Sequence, residues 1–406
     1  MSIFGIRRPA AGIWRPAIRL AIIDVLLIIN DSWSSLVGGH RHCIAAPAPY
    51  NDHIPAICDQ QGSAMTTPTN RLFRLHARPQ GQVTEKDLEL VEESITEINE
   101  GQALVRTLYL SLDPTNRVWM SELRSYIPPV ELGAVMRGLG VGQVVESRRD
   151  DLPVGAFVLG FTGWQDYCVA DDSILEFPFT VLPDPLPAPL PAFLGVLGHT
   201  GISAFIGVEM GDPQPGETVV VSAAAGAVGS IAGQLAKQRG ARVVGIAGGA
   251  EKCRHLVEEL GFDACVDRHS EEWRELLDAA TPDGIDVDFE NVGGPIMDHV
   301  LSRLNVGARV SLCGLISEYD NYNEHSDQPG LRNVNQLLMQ RTTLRGFIVT
   351  DHVDRYGEII GKLATALGEG SLTYDETIVE GLENARETLN QALSGGTRGK
   401  AVIKVV

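Results

Sequence analysis

From residue 218 onward, apolar and polar positions fall into two alternating rhythms. TVVVSAA (218–224) is a continuous apolar run of strand length, GAVGSIAGQLAKQRG (226–240) repeats its apolar positions at helical spacing and stops on Gly240, and ARVVGIA (241–247) is β-branched and apolar again. The alternation continues through helix EKCRHLVEELG (251–261), strand FDACVD (262–267), helix EEWRELLDAA (271–280) and strand GIDVDFEN (284–291). Helix PIMDHVLSRL (295–304) and strand ARVSLCGL (308–315) complete it. Strands and helices taking turns at this spacing predict an α/β domain with a doubly wound parallel sheet.

Upstream the period shortens toward two. NRLFRLHARP (70–79), QALVRTLYLSL (102–112), GLGVGQVVESR (138–148), AFVLG (156–160) and WQDYCVA (164–170) read as half-buried strands separated by Gly, Pro and acidic turns. This predicts a small glycine-rich β-barrel or sandwich. LPDPLPAPLP (182–191) carries five prolines and marks a boundary between the two regions. After Asp351 one more helix, RYGEIIGKLATALGEG (355–370), and a last strand, KAVIKVV (400–406), are expected to return to the first domain. The expected division is thus an extension over 1–64, a β-domain over 65–190, a dinucleotide-binding domain over 191–350 and the return over 351–406.

Composition narrows the function. A chain of 406 residues with 44% hydrophobic content can fill two cores. A net charge of −19 argues against nucleic acid or anionic membranes as partners. The first 64 residues stand apart, with five arginines and no lysine against four aspartates and no glutamate. Their apolar run LAIIDVLLII (20–29) is shorter than the ~20 residues that span a bilayer. The segment reads either as a signal or transit peptide or as an upstream extension before a start at Met65. Six scattered cysteines, at 43, 58, 168, 253, 265 and 313, form neither a disulfide framework nor a zinc ribbon, so a reducing, cytoplasmic compartment is expected.

The first strand–helix junction carries the chemistry. Ala224, Gly226 and Gly229 occupy the three slots of a dinucleotide fingerprint, with Ala227 and Val228 between the last two. The following helix offers unpaired N–H groups to a pyrophosphate. The next strand ends in Gly248-Gly249, where an NAD enzyme places an acid for the ribose 2′-hydroxyl. With no acid there, Lys252 and Arg268 are candidates for a 2′-phosphate, or else ordinary surface cations. The balance favours NADPH.

Beyond these patterns, the run AAAGAVGSIAGQLAKQRGARVVGIAGGAEKCRHLVEELGFDACVD resembles the medium-chain dehydrogenase/reductase superfamily. With NRLFRLHARPQG, LYLSLDPTNRVWM, FENVGG, LCGLISEYDN, LRGFIV and GKAVIKV, it resembles more narrowly the NADPH-dependent alkenal/one reductases, which include the prostaglandin and curcumin reductases. The resemblance implies a GroES-like β-barrel domain beside a Rossmann domain, a cleft active site and a homodimer. It implies Asn291, Gly293 and Gly294 beside the cofactor, Gly314 to Ser317 under the nicotinamide, and Phe347 and Val349 near the nicotinamide ribose. For Phe347 and Val349 a buried strand without ligand contact is the other reading. His199, His299 and His352 show no partner pattern and read as structural or exposed.

Zinc enzymes of that superfamily carry Gly-His-Glu before a glycine-rich strand; this chain has Met136-Arg137-Gly138, so no metal is expected. Hydride delivery to an activated C=C needs only a hydrogen-bond donor at the carbonyl oxygen. Tyr319 in LISEYDN matches the family tyrosine and is the expected donor. The family's DPYMR reads Asp113-Pro114-Thr115-Asn116-Arg117 here, so the first-domain tyrosine is missing and Tyr126 is a candidate for the same pocket. The expected substrate is a small-molecule enal or enone, of a size the missing tyrosine leaves open; a quinone reductase and a non-catalytic NADPH-binding sensor are the alternatives.

Overall fold

The computed structural model describes residues 69–174, 177–321 and 330–406. The extension read over 1–64 lies outside them. A ribbon of β1 (Thr69–Leu75) and β2 (Leu88–Ser94) leads into β3 (Ala103–Leu112), a short helix α1 (Thr115–Trp119), and strands β4 (Gly140–Ser147), β5 (Phe157–Gly160), β6 (Tyr167–Val169) and β7 (Thr180–Val181). β3 is the hub. Nine of its ten residues are buried, because it is covered on both faces and pairs antiparallel with β4 and β6.

After the prolines, helix α2 (His199–Gly211) leads into β8 (Thr218–Val221), α3 (Ala227–Gln238), β9 (Arg242–Ala247), α4 (Ala250–Glu258) and β10 (Ala264–Asp267). Then come α5 (Trp273–Ala280), β11 (Ile285–Glu290), α6 (Gly294–Ser302), β12 (Leu304–Leu312), α7 (Asn335–Met339) and β13 (Thr343–Gly346). The six strands lie in the order β10-β9-β8-β11-β12-β13, every neighbour parallel. This is the Rossmann order, with its reversal between β8 and β11. A crevice opens above that reversal because the loops leave in opposite directions.

Two local readings differ from the sequence pattern. Helix α2 carries no polar stripe to betray it: Ile202, Ala204, Ile206 and Val208 are all buried, so the 3.6-residue period has nothing to contrast against. The helix expected through Leu304 stops at Ser302, and Leu304 already pairs with Ile285 as the first residue of β12.

The chain then forms α8 (Tyr356–Gly368), β14 (Glu376–Glu380), α9 (Ala385–Ser394) and β15 (Lys400–Lys404). β15 sits between β14 and β3, parallel to the former and antiparallel to the latter, and completes a seven-stranded sheet in the order β14-β15-β3-β4-β5-β7 with β6 also on β3. The β-domain and the doubly wound sheet expected from the sequence are both present.

The cysteine reading needs correction. Cys253 on α4 and Cys265 on β10 form a disulfide across 12 positions. α4 packs on the strand that follows it, a pairing no spacing rule announces. Among the described residues no helix is long and apolar enough to cross a membrane.

Candidate active site at the sheet switch point

β8 ends in Ser222-Ala223-Ala224-Ala225-Gly226, and Gly226 caps α3. A Cβ on Gly229 would lie 2.5 Å from the Ala223 carbonyl oxygen and 2.9 Å from the Ala224 Cα, so only glycine lets α3 start this close to the strand. Alanine in the first slot has a local cause. A Cβ on Gly245 of β9 would meet the Ala224 methyl at 2.9 Å, so the side chain given up by β9 makes room for the one gained at Ala224. Ala227 and Val228 are partly exposed on the first turn of α3, leaving its opening N–H groups accessible to an anion.

At the end of β9, Gly249 adopts a left-handed φ of 99°, and its N–H donates to Asp267 Oδ1 at 2.8 Å. Arg268 crosses this turn, its Nε 3.1 Å from where a Cβ on Gly248 would sit. Neither expected phosphate cation is a loose surface group. Lys252 Nζ donates to the carbonyls of Gly395 (2.7 Å) and Thr397 (2.5 Å), and Arg268 Nη2 to that of Ser394 (3.0 Å). Burial, then the positive charges of Arg268 and Arg398, lower the pKa of Lys252. Arg398 completes a cationic corner that the sequence reading missed, because its neighbours in space are nearly 150 residues away.

Across the reversal, Glu290 ends β11 fully buried, and its Oε1 accepts from Ser222 Oγ, Val292 N and Gly293 N. That carboxylate shapes the Asn291–Gly294 turn, where Asn291 N–H and Nδ2 return to Ser222. Gly314 N–H donates to the Glu290 carbonyl, while Ser317 N–H and Oγ reach the Val292 carbonyl. The 3₁₀ turn Ile316–Asn321 is thereby laid over the first turn. Tyr319 stands on it, its hydroxyl accepting from Leu315 N–H at 3.2 Å and lying 3.5 Å from the Cβ position of Gly314. Asn291, Gly293, Gly314, Ser317 and Tyr319 therefore meet in one place.

Phe347 and Val349 lie past the end of β13 rather than within a strand. Both are partly buried, and Phe347 comes within 3.2 Å of the Cβ position of Gly207 on α2. Two carboxyls lie behind the turn on β11. Asp288 and Glu290 are both fully buried, and neither oxygen of Asp288 has a donor among the described residues. Desolvation, then the charge of Glu290, pushes the Asp288 pKa well above the carboxylate range, which favours its protonated form.

The facing wall comes from the β-domain, where α1 packs near the 3₁₀ turn. Asp113 accepts from Lys400 Nζ (2.9 Å) and Ser111 Oγ, and its own N–H donates to Asn116 Oδ1 (2.8 Å). This fixes Thr115, whose hydroxyl bonds the Tyr126 hydroxyl at 2.8 Å; Trp119 Nε1 donates to the same oxygen at 3.2 Å. Tyr126 thus brings a phenol to the position where the sequence has threonine. Arg117 is buried and holds the Pro79 and Gly81 carbonyls. From Trp119 an aromatic ladder runs through Phe161 and Phe177 to His199 and Tyr356, with centroids 5.5–6.2 Å apart. Burial lowers the His199 pKa and keeps the imidazole neutral. His299, by contrast, is tied to Asp278 at 3.0 Å on the far side of the sheet.

At the position of the zinc-enzyme motif, Met136 is fully buried and Arg137 donates to the Pro128 carbonyl while lying over the Trp119 ring. A Cβ on Gly138 would sit 2.6 Å from Trp164, so a glutamate does not fit there. Among the described residues no three His, Cys, Asp or Glu side chains are grouped to hold a metal.

Comparisons with known proteins agree with this geometry. A profile of the N-terminal domain of oxidoreductases matches residues 71–177, and a profile named for zinc-binding dehydrogenases matches 227–365. The chain is 44% identical over 343 residues to the NADPH-dependent curcumin reductase of Escherichia coli, covering 83% of this chain and 97% of that protein. It is 36% identical over 324 residues to prostaglandin reductase 1 of Oryctolagus cuniculus, covering 79% and 89%. The crystal structure of CurA from Vibrio vulnificus in complex with NADPH superposes with a TM-score of 0.78 at 40% identity, covering 83% of this chain and 99% of that one. The chain therefore belongs to the alkenal/one reductase family of the medium-chain dehydrogenase/reductase superfamily, alongside the curcumin and prostaglandin reductases.

Proposed function

We propose that this protein reduces the C=C bond of α,β-unsaturated aldehydes and ketones with NADPH, delivering hydride to the β-carbon. The observation that carries the reading is the position of Tyr319, a phenol on the turn that closes over Asn291 and Gly314, with the short helix of Thr115 packed near that turn. The residues present suit NADPH: a fingerprint turn that tolerates no extra Cβ at Gly229, a Gly248-Gly249 turn with no acid of its own, whose neighbour Asp267 is tied to the Gly249 N–H, and Lys252 and Arg268 at its edge. Bound NADPH supplies the hydride. The chain supplies the rest. Tyr319 donates a hydrogen bond to the substrate carbonyl oxygen, where negative charge gathers as the β-carbon accepts hydride. The aromatic ladder packs beside that wall and gives it an apolar backing.

Names of the relatives support the reading, since they include NADPH-dependent curcumin reductase and a 2-alkenal reductase of Nicotiana tabacum. The test is the fate of deuterium carried on the transferred face of nicotinamide C4. Label on the β-carbon of a saturated product is expected; label on the carbonyl carbon of an allylic alcohol overturns the reading.

A homodimer is part of the proposal. β13 is the last strand of its sheet, all four of its residues are exposed, and the preceding helix exposes Leu338 and Met339. Among the described residues no strand pairs with that edge, and such an edge beside apolar side chains suits the same edge of a second copy. Leu344→Glu on that strand is expected to convert a dimeric mass in light scattering to a monomeric one.

A further inference from the structure

The loop from Ser394 to Gly399 touches three parts of the dinucleotide fold at once. Its carbonyls hold Lys252 and Arg268, and Gly399 N–H donates to the Ala225 carbonyl of the fingerprint turn at 2.9 Å. Arg398 rides on this loop with its backbone fixed on both sides by Thr377 Oγ1. Its Nε faces Asp375 Oδ1 at 3.4 Å, and the other Asp375 oxygen pairs with the buried His255 Nε2 at 2.6 Å. The terminal nitrogens of Arg398 make no hydrogen bond to the described residues.

Three cations from α4, the end of β10 and the loop before β15 therefore share one corner of an otherwise acidic protein. Like charges held this close repel, so the arrangement is favourable when an anion joins them. We propose that Arg398 is a third cation of the 2′-phosphate site, delivered by the C-terminal loop, and that it helps to set the preference for NADPH over NADH. The inference rests on the assignment of Lys252 to that phosphate. Arginine suits the task because its two terminal nitrogens can bind two phosphate oxygens while Nε stays on Asp375.

Calorimetric titration with 2′,5′-ADP and with 5′-AMP tests this without turnover. Arg398→Gln is expected to weaken 2′,5′-ADP about ten-fold and to leave 5′-AMP within about two-fold; Arg398→Lys, which keeps the charge, is expected to recover part of the loss. Lys252→Ala is measured beside them. Selective loss in Lys252→Ala with none in Arg398→Gln overturns the role of Arg398 and leaves the phosphate site standing. No selective loss in either variant overturns the phosphate site itself. Selective loss in both variants supports the proposal; selective loss in Arg398→Gln with none in Lys252→Ala overturns it as stated, because Lys252 is then no part of the phosphate site. Equal loss of both nucleotides in Arg398→Gln shows a role in holding the loop only and overturns the proposal.

Discussion

The two ends of the crevice are built from opposite materials. At the Gly248-Gly249 end, Lys252, Arg268 and Arg398 gather three basic side chains near the surface, anchored by backbone carbonyls and Asp375. At the Tyr319 end two phenols and a threonine hydroxyl stand with an imidazole that burial keeps neutral, and the charges beside them are paired or stacked: Asp113 with Lys400, and Arg137 over the Trp119 ring. The first end can discriminate by charge, which works through water and at a distance. The second can discriminate by hydrogen bonds from uncharged side chains and by contact with the aromatic ladder. Binding energy and rate should therefore respond to different residues.

The largest expected effect is at the Tyr319 end. Tyr319→Phe should lower kcat for an enone by about 10²–10³, the usual cost of one oxyanion donor, with NADPH affinity nearly unchanged. Steady-state rates with a fluorescence titration of NADPH separate the two. Lys252→Ala should do the reverse, raising KM for NADPH by roughly ten- to a hundred-fold with little change for NADH or in kcat. Any variant that moved rate and cofactor affinity together would break the division.

A third expectation concerns Asp288. Its folded pKa is raised, so the unfolded chain ionises first as pH rises from about 4 and folding stability is progressively lost until the folded pKa is reached. Asp288→Asn removes that ionisation. Urea unfolding should find the variant more stable by about 1–3 kcal/mol at pH 8, with the advantage shrinking toward pH 4. The smallest effect is expected at Tyr126, which is 44% exposed. Tyr126→Phe removes two hydrogen bonds worth about 0.5–1.5 kcal/mol each, and should shift KM for the enone less than ten-fold without touching NADPH affinity.

The parts of this division that lie in short sequence windows were legible in the chain. The fingerprint turn, the missing acid at Gly248-Gly249 and the tyrosine of LISEYDN each occupy a few consecutive residues whose geometry follows from local chemistry. The alternating strands and helices likewise gave the parallel sheet. What escaped depends on distant segments meeting. Arg398 joins Lys252, His255 joins Asp375 and Cys253 joins Cys265 only after the sheet has ordered the chain. Tyr126 was visible as a candidate, but its bond to Thr115 was not, since it requires the loop after α1 to fold back. Helix α2 was hidden for another reason: burial on most sides erases the contrast from which helices are read.

The placement of β15 has a consequence for how the molecule is made. The six parallel strands come from one continuous stretch, Thr218 to Gly346, so that sheet can close while the ribosome is still synthesising the tail. β3 cannot finish its pairing in the same way. Its partner is Lys400–Lys404, nearly 300 residues later, and until that strand is released Asp113 waits without Lys400. The wall of the site that carries Thr115 is therefore the last to set, and a chain stopped a few residues short keeps its dinucleotide fold while leaving the edge of β3 open to other strands.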